Sequence, residues 1–281
     1  HYLIRKKLAK FFKNSYLYLE NTIFTKKKAT NMYSIPKIKA HNEQMTKFYA
    51  QQIQETVDNT TIYNDQPTFS VPSSSTYPQL CFTPTDTATA ISHSNWQTEK
   101  TAALNFADYL EAGGGYLRGI VAQEEVLCLE SDLYQCLAPF EQTYYKWNNA
   151  HINHSLYKNR ALYSPNILFA HPKIYAQVDI ISCAAPNYTQ VKLSGISYRN
   201  ACLTLQNRMT FVKQIAESQH VAHLILGAWG AGVFGFKAKD VAQMWYNVFK
   251  EKSSIKKVTF AVIDDHRNSA AQDFKNLLIK S

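Results

Sequence analysis

With 281 residues, the chain is long enough to bury one sizeable α/β core, and its five cysteines (Cys81, Cys128, Cys136, Cys183, Cys202) are odd in number with no C-x-x-C pair, which disfavours both a disulfide framework and a zinc site. The formal net charge of +9 is concentrated rather than spread: residues 1–40 hold 10 Lys and Arg against the single acid Glu20, and residues 41–281 balance at 20 against 20. The body therefore lacks the basic excess that tracking a nucleic-acid backbone requires, and no nucleic-acid partner is expected.

The basic head, residues 1–40, reads as an N-terminal helical extension of a domain at 41–281. Ile4, Leu8, Phe11, Phe12 and Leu19 fall on one side of a helix, and Lys6, Lys10 and Lys13 on the other. Such a helix can dock on the domain, or it can bring residues 1–30 to an anionic membrane or an organelle; both readings stay open. The sequence starts at His1 and so says nothing about a leader.

A second, polar helix is predicted over about 42–56, followed by a Pro-, Ser- and Thr-rich loop over 64–79. Beyond residue 97 short apolar runs alternate with helical patterns. Strands are predicted at 101–107, 166–170, 178–184, 222–226 and 257–263. Helices are predicted at 124–137, with Val126, Leu129, Leu133 and Leu137 as the buried face, and at 207–217, 238–249 and 270–279. Strands separated by single helices imply a parallel or mixed sheet covered on both faces, with ligands beyond the carboxyl ends of the strands. The longest weakly polar run, residues 221–236, is broken by His223 and four glycines and is too short for a membrane span.

Glycine is scarce, and eight of the nine sit in two clusters. Gly113, Gly114, Gly115 and Gly119 follow the first of these strands; Gly227, Gly230, Gly232 and Gly235 follow the strand at 222–226. Glycines just after a strand let backbone N–H groups converge without a Cβ in the way, the geometry that cradles phosphate oxygens. Two flexible turns would have the same composition, but two clusters in equivalent places favour a diphosphate held between them. Neither a nucleoside triphosphate loop nor a dinucleotide fingerprint fits; Gly230 to Gly235 comes near the latter but lies late in the chain.

Gln123, Glu124 and Glu125 open the helix that follows the first cluster. Acids in a first turn are commonplace because they oppose the helix dipole. The alternative is chemical: breaking a ribosyl bond needs negative charge near the anomeric carbon and a proton for the leaving group, and glutamate supplies both. Consecutive helical residues point about 100° apart, so the two glutamates are expected to divide the work rather than flank one bond symmetrically.

The order Asn105-Phe106-Ala107, Gly113-Gly114-Gly115, seven residues, Gln123-Glu124-Glu125 closely resembles the microbial-type poly(ADP-ribose) glycohydrolase family. These are macrodomain proteins marked by an N-F-A strand end and a GGG-x6-8-QEE loop. The run from Ser182 to Asn187 resembles the family's P-A-P-N strand end, that from Leu226 to Gly235 its second phosphate loop, and that from Phe260 to Asp264 its last core strand. The resemblance covers about residues 42–281. It implies a three-layer α/β/α macrodomain-like fold with a central mixed sheet. It also implies an ADP-ribosyl hydrolase that needs no metal or cofactor, with Glu125 as the catalytic acid and Glu124 binding ribose hydroxyls. Gly113, Gly114 and Gly115 would enclose the diphosphate with Gly230, Ala231, Gly232, Val233 and Phe234. Phe234 would lie against the distal ribose, Asn105 would orient that ribose, and Gln123 would support the loop.

Ala112 stands where the family commonly has proline and Ala231 where it commonly has cysteine, small changes that leave backbone donors intact. The acceptor is left open between a poly(ADP-ribose) chain and a mono-ADP-ribosylated side chain such as arginine, with ADP-ribose as the product. A binding module that recognises ADP-ribose without cutting it is the alternative. The Lys-, Asn-, Tyr- and Ile-rich composition, together with the head, would suit a bacterial protein delivered to host cells; a cytoplasmic location is the expectation otherwise.

Overall fold

The computed structural model describes residues 33–64, 69, 76–171, 174–263 and 269–279. The amphipathic head read from residues 1–30, most of the loop read from 64–79, and Asp264 lie outside the described residues. Helix α1 (Ile35–Asn59) starts before the expected residue 42 and runs across residue 40, with a kink at Tyr49. Pro36 lies in its first turn, where a missing N–H costs nothing and a fixed φ suits the helix.

Strands β1 (Thr61–Tyr63) and β2 (Gln79–Thr83) and helix α2 (Thr87–Ser92) have no counterpart among the predicted elements; each is too short to show a period. The Asp86 carboxylate caps α2 by accepting the Thr89 N–H at 2.8 Å. Strands β3 (Thr101–Phe106), β4 (Ala161–His171), β5 (Ile174–Cys183), β6 (His223–Leu226) and β7 (Lys257–Ala261) fall where the apolar runs put them. β4 is longer than predicted because it continues through an irregularity between Ser164 and Ile167, where Asn166 has φ 58° and the Asp179 carboxylate accepts its N–H at 2.9 Å.

The seven strands form one sheet in the order β1-β4-β5-β3-β6-β7-β2. From β5 to β2 the strands run parallel, and β1 and β4 are antiparallel to their neighbours, so the sheet is mixed as expected. Alternation along β3 sorts the two faces. Ala102 and Leu104 pack with residues of helices α5 (Tyr198–Ser218), α6 (Ala238–Phe249) and α7 (Ala270–Ile279), including Met209, Trp245 and Phe274. Ala103 packs on the other face with Ile38 of α1, Ile91 of α2 and Leu127 of helix α3 (Gln123–Glu130). The result is three layers, helix, sheet and helix. All five cysteines are free thiols.

The helix expected over 124–137 is two helices, α3 and α4 (Leu133–Leu137). Ser131 and Asp132 leave the helical path to pair with β4. Ser131 bridges Phe169, the Asp132 N–H donates to the Leu168 carbonyl at 3.1 Å, and the Leu168 N–H returns to Asp132 Oδ1 at 3.0 Å. The buried face of α3 also differs: Glu124, Glu125, Leu127, Cys128 and Leu129 are buried, whereas Val126 is half-buried. Apolar spacing alone could not show that the two acids point inward.

Burial raises the Asp132 carboxyl from its ordinary 3.8 to about 7. Between about pH 4 and 7 the native state therefore holds a proton that the unfolded chain releases, and stability falls as pH rises through that window. Asp132→Asn has no such term. Relative to wild type, its stability should climb from pH 4 to pH 7 by roughly 4 kcal/mol, at about 1.4 kcal/mol per unit. Denaturant melts of both proteins at a series of pH values read this difference, and parallel curves would contradict it.

Candidate active site

Parallel strands β3 and β6 are neighbours, so the loops after them leave the same end of the sheet. The first loop carries residues 113–115 and the second residues 227–235. At this end of the sheet, between the start of α3 and the second loop, lies a cleft of about 840 Å³, within the range of pockets that hold small molecules. Phe106, Ala122 and Gln123 line one side; Ala231, Gly232, Lys237 and Lys239 line another; Asp86, Ser269 and Asp273 complete the far end. Neither glutamate nor the glycines 113–115 lines the cleft; Glu124 and Glu125 follow Gln123 on α3 and turn inward, against Gly114 and Gly115.

Gln123 ties this corner together. Its side-chain oxygen accepts the Phe106 N–H at 2.8 Å, and its nitrogen donates to the Leu104 carbonyl at 2.9 Å and to Thr87 Oγ1 at 3.1 Å. It fastens the start of α3 to the last residues of β3 and to α2.

Asn105 lies on the β3 face that α3 covers. Its Nδ2 donates to Glu124 Oε1 at 3.0 Å and to Ser182 Oγ at 3.1 Å, while its buried Oδ1 has no hydrogen-bond partner among the described residues. The Asp108 N–H donates to Glu124 Oε2 at 2.7 Å. Both oxygens of Glu124 are thus engaged. Burial pushes the Glu124 carboxyl well above the usual carboxylate range, with the donors from Asn105 and Asp108 opposing and the charges of Asp108 and Glu125 adding to the rise. Asp108 itself is raised, again chiefly by burial.

Glu125 is held differently. Its Oε1 accepts the Gly115 N–H at 2.9 Å, and among the described residues its other oxygen takes no hydrogen bond. The two glutamates meet over Gly114, at φ +55°, where a Cβ would lie 3.0 Å from Glu124 Oε2 and 3.0 Å from Glu125 Oε1. The glycine is what lets both carboxyl groups approach the loop.

On the second loop, Gly230 and Gly232 have positive φ, Val233 is 86% exposed, and Phe234 is half-buried against the core. Thr189 Oγ1 donates to the Val233 carbonyl at 2.9 Å and so pins the tip. Phe234 packs with the cluster that holds Met209 and Trp245, on the face of the sheet away from α3. Asp108 and Ser182 are site residues that reading the sequence missed. Ser182 enters only through the β3–β5 register, which sets it opposite Asn105, and Asp108 enters through its backbone. Among the described residues, no three His, Cys, Asp or Glu side chains come together to hold a metal ion, and no helix is long and apolar enough to cross a membrane.

Fold and site together define a three-layer, macrodomain-like α/β/α protein with paired carboxyl groups beside a nucleotide-sized cleft. The model of one family, described as microbial-type PARG, catalytic domain, matches residues 2–171. The chain belongs to that family of poly(ADP-ribose) glycohydrolases, hydrolases of the glycosidase type. Solved structures agree. Poly(ADP-ribose) glycohydrolase from Thermomonospora curvata superposes with a TM-score of 0.77 at 23% identity over 85% of this chain and 97% of that one, a likeness of fold. The Deinococcus radiodurans poly(ADP-ribose) glycohydrolase in complex with ADP-ribose gives 0.71 at 28% identity over 81% and 97%. No curated protein matches the chain.

Proposed function

We propose that the chain releases ADP-ribose from poly(ADP-ribose), with Glu125 as the acid and then the base. One observation carries this reading. Of the two buried glutamates, Glu124 has both oxygens engaged by N–H donors, whereas Glu125 is fixed through one oxygen and keeps the other for a reacting group. Glu125 gives its proton to the leaving oxygen as the bond to the anomeric carbon breaks. The oxocarbenium-like ribosyl centre is then attacked by water, which returns a proton to Glu125. Glu124, anchored by Asn105 and Asp108, receives ribose hydroxyls on its remaining lone pairs.

The diphosphate lies between residues 113–115 and 230–234; the Gly114 and Gly115 N–H groups are taken by the Glu111 carbonyl and Glu125, so the second loop supplies the backbone donors, and Lys237 and Lys239 add positive charge on the cleft wall. The complex of the Deinococcus radiodurans relative with ADP-ribose supports the choice of ligand. A mono-ADP-ribosylated side chain is the second acceptor this site suits, since both bonds break at the same anomeric carbon.

The test is incubation of the full chain with poly(ADP-ribosyl)ated protein and, separately, with arginine-ADP-ribosylated protein, reading free ADP-ribose by chromatography. Release from the polymer is the expected result. A protein that binds ADP-ribose but frees none from either substrate is a reader, and the hydrolase reading then fails.

A further inference from the structure

The glycine loop does not stand by itself: its far side rests on α1, a helix more than seventy residues earlier in the chain. The Tyr33 N–H, just before that helix, donates to the Gly119 carbonyl at 2.7 Å. The approach is close enough that a Cβ on Gly119 (φ +78°) would lie 2.4 Å from the Tyr33 carbonyl oxygen. About two turns further on, a His41 ring nitrogen lies 2.8 Å from the Ser131 carbonyl, just past the end of α3. Asn42 bridges the two. Its Oδ1 accepts the Tyr116 hydroxyl at 2.9 Å and Gln135 Nε2 of α4 at 2.8 Å.

Tyr116 follows Gly115 directly, is fully buried, and has its ring against Tyr134 at 5.3 Å. Its own N–H donates to the Gly113 carbonyl at 3.0 Å. Fixing the Tyr116 side chain therefore holds the Gly115–Tyr116 peptide, whose N–H closes a turn onto the Gly113 carbonyl, and that turn encloses the Gly114–Gly115 peptide, which carries the N–H that orients Glu125.

We propose that Asn42 is a positioning residue of this site, holding the Gly115 N–H on Glu125 through the Tyr116 hydroxyl. It touches neither ligand nor reacting atoms. The inference rests on the reading of Glu125 as the acid, and it makes the first helix part of the catalytic apparatus.

A double-mutant cycle tests it. Asn42→Leu and Tyr116→Phe should each lower kcat on poly(ADP-ribose) by about tenfold, the scale of one neutral hydrogen bond, with KM within about threefold of wild type. The double variant should be no slower than the slower single. Asn42→Asp, which keeps the accepting oxygen, should restore kcat to within about threefold.

Hydrogen exchange of the Gly115 amide supplies a readout independent of turnover. It should quicken about tenfold in Asn42→Leu and Tyr116→Phe and stay slow in Asn42→Asp. Wild-type kcat in Asn42→Leu, a double variant slowed by the product of the singles, about a hundredfold, or an unchanged Gly115 amide would each overturn the proposal. Tyr116→Phe, which removes one oxygen and keeps the ring, decides the matter should Asn42→Leu fail to fold. A wild type without turnover ends the glycohydrolase reading, and the exchange data then judge Asn42 on their own.

Discussion

Replacing Glu125 by glutamine should lower kcat by about 10³-fold, inside the 10²–10⁴ range for loss of a general acid–base group, and leave ADP-ribose affinity within a few-fold of wild type. The glutamine oxygen can still accept the Gly115 N–H that Glu125 Oε1 accepts at 2.9 Å, so the glycine loop keeps its shape. What is lost is the transferable proton. Glu124→Gln should behave differently. Both Glu124 oxygens accept N–H donors, and an amide would set its own NH2 against Asn105 or the Asp108 N–H. That variant should lose ligand affinity as well as rate. Single-turnover release of ADP-ribose and calorimetric titration with ADP-ribose separate the two effects. A Glu125→Gln protein that keeps more than a tenth of wild-type turnover would remove Glu125 from the chemistry.

The second large effect belongs to Gly114. An alanine there must hold φ near +55°, which costs about 1–2 kcal/mol for a residue with a Cβ, and its methyl would press on both carboxyl groups at 3.0 Å. Neither carboxyl group can retreat freely, because Oε2 of Glu124 is held by the Asp108 N–H and Oε1 of Glu125 by the Gly115 N–H. Gly114→Ala is expected to lose about a hundredfold in kcat, since displacements of about 1 Å near a reacting centre carry penalties of that size. The melting temperature should drop only modestly. Measuring kcat beside a thermal melt checks both halves; a variant as active as wild type would show that the carboxyl groups do not depend on the loop.

Much of the architecture was legible because its signals are local. Apolar runs of strand length separated by helical periods located β3, β5, β6 and β7, and α6 and α7 fall on the predicted residues. Short elements escaped for want of length: β1 has three residues and α2 six, too few for a period to emerge. The helix over 124–137 was misjudged for another reason. Its apolar spacing runs through Ser131 and Asp132 without a break, yet the backbone there pairs with β4, and a partner far away in the chain has no local signature.

The same division holds at the site. Residue types and their spacing are set along the chain: a strand end, a glycine cluster and two acids at the start of a helix, with a second glycine cluster after another strand. Those follow from backbone sterics and helical geometry, which act over a few residues. The closed fold sets which glutamate has an oxygen to spare, because that depends on donors from Asn105, Asp108 and Gly115 converging from separate segments. It also decided that Asn42, on the first helix, reaches the loop at Tyr116. Hydrogen bonds between residues 10 to 74 positions apart exist only once the sheet and its two helical layers have closed around them.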